Sequence, residues 1–152
     1  MSIRLIEEAK ALFSETVRPE HFTNYKHCSE CAEHDETLCS HNPDTISLNE
    51  LGNPAWDPIC FVTPEAFKYY FPALVRLAVE GSGENYYLDQ FLFHLESDGP
   101  KNDRWRAFST EQRQFVVKLL DYFIETRAEE IDRNLDADRL LRTLEVWSER
   151  QT

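Results

Sequence analysis

The chain has 152 residues, a net charge of −12 and four cysteines, and these numbers already argue against several classes of protein. Its 28 acidic side chains outnumber its 16 basic ones, which opposes association with nucleic acid or anionic lipid through long-range repulsion. No apolar run reaches the roughly 18 residues of a membrane span, and the N-terminus lacks the apolar core of a signal peptide. We therefore expect a cytoplasmic protein whose cysteines are thiols or metal ligands rather than structural disulfides.

The hydrophobic pattern predicts a fold built almost entirely of α-helices. Apolar residues recur at helical spacing between breaks marked by proline and glycine. The 41% of hydrophobic residues suffice to bury a core without help from disulfides. We expect residues 1–152 to form a single compact all-α domain of about five to seven helices, with an irregular proline-rich segment between the cysteine cluster and the middle helices.

Three helical elements are predicted in the first third of the chain. The first runs from Ser2, a suitable N-cap, to near Val17, with apolar residues along one face. A second helix begins near Ser29. A capping box that starts at Ser47 predicts one further helical turn, which Gly52 would end in a left-handed conformation.

Prolines divide the middle of the chain. Residues 52–58 contain too many turn formers for a regular element. The sequence Thr63-Pro64-Glu65 is a strong helix start, because proline fits the first helical position and the glutamate carboxylate meets the positive end of the helix dipole. Pro72 removes a backbone donor, so we expect a kink or break at that position.

Three more helices are predicted towards the C-terminus. One covers residues 86–95, and the longest opens at a capping box that starts at Ser109, with apolar residues as far as Ile131. Asp136 can cap the last helix. The aromatic side chains in residues 67–71 and 86–93 exceed what one core needs, so some of them are expected to line a groove or a homodimer contact.

Residues 21–41 hold three of the four cysteines and four of the five histidines, and they carry the most specific chemical signal in the chain. Thiolates and imidazoles are the usual ligands of zinc, and a Cys-x-x-Cys pair brings two thiolates to one ion. A structural zinc site needs four ligands, and the spacing here is tighter than in the usual zinc finger. The candidate ligands are Cys28, Cys31, Cys39 and His41, with His34 as a competitor.

A redox function is the alternative for the same cysteines. The helix dipole would lower the pKa of Cys28 at a helix N-terminus. Cys31 would then resolve the sulfenic acid or mixed disulfide formed on Cys28, and His27 beside it could assist. Neighbouring carboxylates oppose this interpretation, because negative charge disfavours a thiolate. They belong to Glu30, Glu33, Asp35 and Glu36. A third interpretation is that the cysteines are inert, buried thiols.

Three motifs follow one another along the chain. They are HCxECAEHDETL at residues 27–38, GNPxWDP at residues 52–58 and PEAFxYYFPAL at residues 64–74. In this order they resemble a family of small uncharacterised bacterial proteins, over most of the chain. The resemblance implies a bacterial origin, and it supplies no catalytic residue because the family has no established activity.

The sequence favours a protein-binding or regulatory module with a structural zinc ion at the cysteine cluster and a protein partner or a second copy of the chain as its binding partner. The alternative function is that of a metal-dependent hydrolase or thiol oxidoreductase centred on Cys28, Cys31 and His34. An enzyme is the less favoured of the two, since neither a nucleophile elbow nor a glycine-rich phosphate loop occurs in the chain.

Overall fold

The computed structural model describes residues 2–96 and 102–148, and in these residues the chain is mostly helical and forms no β-strand. The all-α prediction is therefore confirmed. The described residues form nine α-helices and three short 3-10 helices, so the predicted number of five to seven is too low. The difference arises mainly because short helices form at Asp103–Ala107 and Ala128–Arg133, where the sequence pattern predicted no separate helix.

The chain divides into two compact units, the first up to Leu88 and the second from Asp89 onward. The expectation of one domain over residues 1–152 stays a prediction. None of the helices in the described part of the chain combines the length and the apolar character that crossing a bilayer requires.

The first unit contains four α-helices and three 3-10 helices. The α-helices are α1 (Ser2–Leu12), α2 (Ser29–Cys39), α3 (Leu48–Leu51) and α4 (Pro64–Glu80). The 3-10 helices are Pro54–Trp56, Pro58–Phe61 and Gly83–Asn85. Two of these 3-10 helices lie in or next to the segment predicted to be irregular, where Asn53 and Asp57 cap their first turns.

Helix α1 is shorter than predicted. It ends at Leu12, and Val17, placed by the sequence pattern on the buried face, is 83% exposed. The hydroxyl of Ser14 donates to the carbonyl of Ala11 at 2.9 Å, a local bond that competes with the helical ladder. The buried face therefore stops at Phe13.

Helices α2 and α4 begin at the predicted positions, Ser29 and Pro64. Of the kink or break predicted at Pro72, the break does not occur, because α4 continues through this buried proline to Glu80. The kink stays a prediction. Packing of α4 against α1, and against Phe13 just after it, whose ring lies 5.0 Å from that of Phe71, offsets the proline's local cost.

The predicted left-handed conformation of Gly52 is also wrong, since its φ is −80°. Glycine is needed there for a different reason. A Cβ atom at this position would lie 2.6 Å from the carbonyl oxygen of Leu48. The capping box at Ser47 that opens the turn is present as predicted.

Helix α2, which carries the cysteine pair, is anchored to the rest of the first unit at both ends. It packs against the 3-10 helix Pro58–Phe61, and near its N-terminus the carbonyl of Cys31 accepts a hydrogen bond from the hydroxyl of Thr23 at 2.7 Å, while Thr23 forms an isolated antiparallel bridge with Val62. At its C-terminal end the hydroxyl of Tyr70 donates to the carbonyl of Leu38 at 2.5 Å. These contacts fix the orientation of α2 within the first unit.

The second unit is built from five α-helices. They are α5 (Leu88–Glu96), which begins at the boundary, α6 (Asp103–Ala107), α7 (Thr110–Thr126), α8 (Ala128–Arg133) and α9 (Ala137–Ser148). Helix α7 packs against α9, and the indole of Trp147 donates to the carbonyl of Leu95 at 2.9 Å. The capping box at Ser109 is confirmed, whereas the apolar run predicted to reach Ile131 is split between α7 and α8.

A candidate dithiol site at the start of helix α2

Cys28 is the N-cap of α2. Its backbone is extended, with a φ of −163°, and its sulfur accepts a hydrogen bond from the backbone N–H of Cys31 at 3.4 Å. Serine, threonine, asparagine and aspartate usually fill this position, so the sulfur replaces the oxygen that normally satisfies a free N–H group. The location also places the sulfur at the positive end of the helix dipole, which favours a thiolate.

Cys28 and Cys31 form an asymmetric pair. Their sulfur atoms lie 3.3 Å apart, within hydrogen-bonding distance and without a covalent bond. Cys28 is exposed, whereas Cys31 is only 6% exposed. A reagent that approaches from solvent therefore meets the sulfur of Cys28 first.

The two thiols also differ in acidity. Hydrogen bonds from the backbone and side chain of Cys31, with a further one from His27, lower the pKa of Cys28 to about 7. The hydrogen bond to Cys28 and burial raise the pKa of Cys31, and the charge of Glu30 adds to this effect. Near neutral pH, Cys28 is thus the thiolate of the pair and Cys31 its hydrogen-bond donor.

His27 completes this cluster. Its Nδ1 atom lies 3.7 Å from the sulfur of Cys31, and one ligand atom from each of His27, Cys28 and Cys31 lies within 4.8 Å of the other two. Two sulfurs and one imidazole nitrogen are a donor set that suits zinc. His27 was not among the ligands predicted from the sequence, although its position next to Cys28 was the available signal.

The other predicted ligands lie elsewhere. Cys39 is grouped with His21 and Asp35, and burial raises the pKa of its thiol. His41 has its Nε2 atom 4.0 Å from a carboxylate oxygen of Glu50. Within the described residues, the structure therefore groups Cys28 and Cys31 with His27, and it does not bring Cys39 or His41 into that group.

His34 is not grouped with the sulfurs either, and it lies in an aromatic environment. It is 0% exposed, and its ring lies between Trp56 at 4.6 Å and Phe61 at 4.8 Å, measured between ring centroids. Neither ring nitrogen has a hydrogen-bond partner, and the nearest carboxylate oxygen, on Glu30, is 4.0 Å from Nε2. This aromatic environment was not predicted, because Trp56 and Phe61 are distant from His34 in sequence.

Asp35 turns away from the cysteine pair and into the protein. Its carboxylate accepts hydrogen bonds from the backbone of Phe22 at 2.6 Å, the backbone of Thr23 at 3.2 Å and the Nδ1 atom of His21 at 2.7 Å. Burial alone would raise the pKa of Asp35, but these hydrogen bonds outweigh burial and hold the pKa below its ordinary value. Asp35 therefore connects the segment before α2 to the helix.

Comparisons with known proteins agree with the resemblance noted from the motifs. No curated protein and no solved structure matches the chain significantly. One family model, described as a family of unknown function, matches residues 2–151 and so covers nearly the whole sequence. The chain accordingly belongs to this family of unknown function, DUF6714.

Proposed function

We propose that the N-terminus of α2 is a thiol–disulfide exchange site, in which Cys28 attacks a substrate disulfide and Cys31 resolves the product. The observation that carries the proposal is the pairing of an exposed and a buried sulfur 3.3 Å apart at a helix N-terminus. An attacking thiol must be accessible and ionised, whereas a resolving thiol must be close and protected from competing reactions.

In the first step the thiolate of Cys28 attacks one sulfur of a substrate disulfide. A bond forms between this sulfur and Cys28 Sγ, the substrate S–S bond breaks, and the second substrate sulfur leaves as a thiolate that takes a proton from solvent. The product is a mixed disulfide between Cys28 and the substrate. The carboxylate of Asp35 does not oppose this step strongly, because it is already bonded to His21 and to two backbone N–H groups.

In the second step Cys31 attacks Cys28 Sγ and displaces the substrate. The Nδ1 atom of His27, 3.7 Å from Cys31 Sγ, can accept the proton that Cys31 loses. The sulfur–sulfur distance must then shorten from 3.3 Å to the roughly 2.05 Å of a disulfide. Two electrons pass from the cysteine pair to the substrate, which leaves as a dithiol.

Zinc binding is the second candidate function, and the observation that favours it is the cluster of His27, Cys28 and Cys31. Three protein ligands are the number found in catalytic zinc sites, whereas structural sites have four. A bound ion would hold both thiolates and prevent exchange. A bound ion would also fit the metal-dependent hydrolase predicted as an alternative from the sequence, because the fourth zinc ligand could then be water.

The broader role of a cytoplasmic protein-binding or regulatory module fits the exchange site. A reducing compartment would keep Cys28 and Cys31 as a dithiol until an oxidised substrate arrives. A partner protein that carries the disulfide would then be regulated by its reduction. The cysteine pair would in this way connect redox chemistry with partner recognition.

The test is an equilibrium redox titration of the purified, metal-free protein against mixtures of reduced and oxidised glutathione, with mixtures of reduced and oxidised dithiothreitol for the more reducing range. Alkylation followed by mass spectrometry identifies the cysteines that become protected. We expect one disulfide between Cys28 and Cys31, and the same midpoint in a Cys39→Ser variant. Failure of this disulfide to form at any ratio would refute the proposal, and stoichiometric zinc in protein purified without added metal would favour the second candidate.

A further inference from the structure

An aromatic patch lies on the same helix as the cysteine pair. We define it as the exposed surfaces of Trp56 and Phe61 over the ring of His34. His34 follows Cys31 by three residues in α2, and residues at this spacing are neighbours on the helix surface, about 4.5 Å apart along the axis. Trp56 is 44% exposed and Phe61 is 39% exposed. The two exposed rings therefore contact a residue that lies one helical turn from the resolving cysteine in α2.

The buried face of the aromatic patch contains unused hydrogen-bonding capacity. His34 is fully buried, and both of its ring nitrogens lack a partner. Leaving such a group unsatisfied destabilises the fold, so the core alone does not explain a histidine here. A peptide amide or carbonyl group would supply the missing partner once the side chains that now cover His34 moved apart.

The charge around the site is predominantly negative. Glu33 and Glu36 are exposed on α2, and Glu30 lies beside His34 with its side chain 38% exposed. The basic side chain closest in sequence, Lys26, lies over the ring of Tyr25 at 5.6 Å. Anionic disulfides such as oxidised glutathione are repelled by this distribution, whereas basic peptides are attracted.

We propose that the substrate is a polypeptide disulfide with an aromatic or large aliphatic residue and a basic residue beside its cystine. The apolar residue packs on the aromatic patch, and the basic residue faces the glutamates of α2. This inference rests on the proposed exchange function and specifies its substrate class. It assigns to Trp56 and Phe61 a role in substrate recognition. This role would explain why two large aromatic side chains are exposed to solvent.

The test compares two disulfides as oxidants of the reduced, metal-free protein. One is a synthetic peptide whose cystine is flanked by phenylalanine and lysine, and the other is oxidised glutathione. Stopped-flow mixing with acid quench and alkylation gives the rate constant for formation of the Cys28–Cys31 disulfide. We expect the peptide to react at least about tenfold faster than glutathione, and added salt to narrow the difference.

Variants locate the source of the preference. We expect Trp56→Ala and Phe61→Ala each to lower the ratio of the peptide rate to the glutathione rate by about tenfold, as loss of an aromatic contact with the peptide predicts. Ile3→Ala is the matched control, because Ile3 is an apolar residue of the same unit that is 73% exposed and lies far from α2 in sequence. It is expected to change neither rate.

A peptide with serine in place of cysteine provides a test that needs no variant. It should inhibit oxidation of the wild-type protein by the peptide disulfide and not by glutathione. If neither disulfide oxidises the wild-type pair, the exchange function itself fails. If both oxidise it at equal rates, and the serine peptide does not inhibit, the exchange function stands and the substrate proposal is overturned.

Discussion

Two clusters that combine cysteine with histidine lie at the two ends of helix α2. They differ in which groups are hydrogen-bonded within them. At the N-terminus of α2, the sulfurs of Cys28 and Cys31 are hydrogen-bonded to each other, the Cys28 sulfur also accepts from the backbone N–H of Cys31, and Cys28 remains exposed. Near its C-terminus, Cys39 lies beside His21 and Asp35. There the carboxylate of Asp35 accepts three hydrogen bonds, and it holds backbone in place.

The comparison shows that residue type alone does not decide which cysteine is reactive. The pKa of Cys28 is lowered to about 7 by the hydrogen bonds that its sulfur accepts. The pKa of Cys39 is raised by burial and by the charge of Asp35. The same thiol chemistry is thus favoured at one end of α2 and disfavoured at the other.

The largest expected effect is the loss of exchange in Cys28→Ser. Because the thiolate is the nucleophile, the rate of reaction with a peptide disulfide should fall to the background rate without protein. Cys39→Ser should react at the wild-type rate. Stopped-flow kinetics with both variants measure this difference, and comparable losses in the two would mean that the two clusters are not chemically distinct.

The next effect concerns the free energy of unfolding. Here the cluster that contains Asp35 is expected to matter more than the cysteine pair. Asp35→Asn should lower the free energy of unfolding by about 2 kcal/mol at pH 7, because a charged acceptor of three hydrogen bonds is lost. Glu36→Gln, at an exposed position on the same helix, should cost little. Urea denaturation followed by circular dichroism measures both changes.

The pH dependence of the Asp35 effect has a definite sign. The folded-state pKa lies below the ordinary value of 3.8, so the carboxylate contributes its full stability above that pH. The contribution is lost as the pH falls through the lower, folded-state value. The difference between wild type and Asp35→Asn should therefore shrink in strongly acidic solution, and a difference that stays constant down to pH 2 would assign the effect to packing.

The two clusters also show how far sequence reasoning extends. The start of α2 was predicted correctly, and the closeness of the Cys28 and Cys31 sulfurs agrees with their Cys-x-x-Cys spacing, because both depend on residues within one helical turn. The role of the pair stays a prediction. The capping box at Ser109 was predicted for the same reason. Local spacing is thus a sound guide to helix starts and to pairs such as Cys28 and Cys31.

Features that depend on distant residues were not predicted. The bonds of Asp35 reach back to residues 21–23, and the rings around His34 come from Trp56 and Phe61. Only tertiary packing brings these groups together. The sequence therefore placed a candidate site within residues 21–41 and grouped Cys39 and His41 with Cys28 and Cys31, because nothing local separates them from the pair. That zinc ligand set stays a prediction.

A smaller effect is expected for zinc affinity. It tests directly whether Cys39 and His41 bind the same ion as Cys28 and Cys31. If the metal binds, His27→Gln should weaken binding by at least about tenfold, since an imidazole ligand is lost. Cys39→Ser and His41→Gln should leave the affinity unchanged. Competition with a chromogenic chelator measures all three, and a loss in Cys39→Ser equal to that in His27→Gln would restore the ligand set predicted from the sequence.

The smallest expected effect is a shift in the pH profile of Cys28. Alkylation of the metal-free protein by iodoacetamide requires the thiolate, so its rate should fall as the pH decreases through about 7. His27→Gln removes one of the hydrogen bonds that lower this pKa, and the midpoint should rise by less than about one pH unit. The backbone N–H of Cys31 remains as a donor in this variant, which limits the shift. A midpoint near 9 in the variant would instead make His27, and not the helix N-terminus, the main cause of the acidity of Cys28.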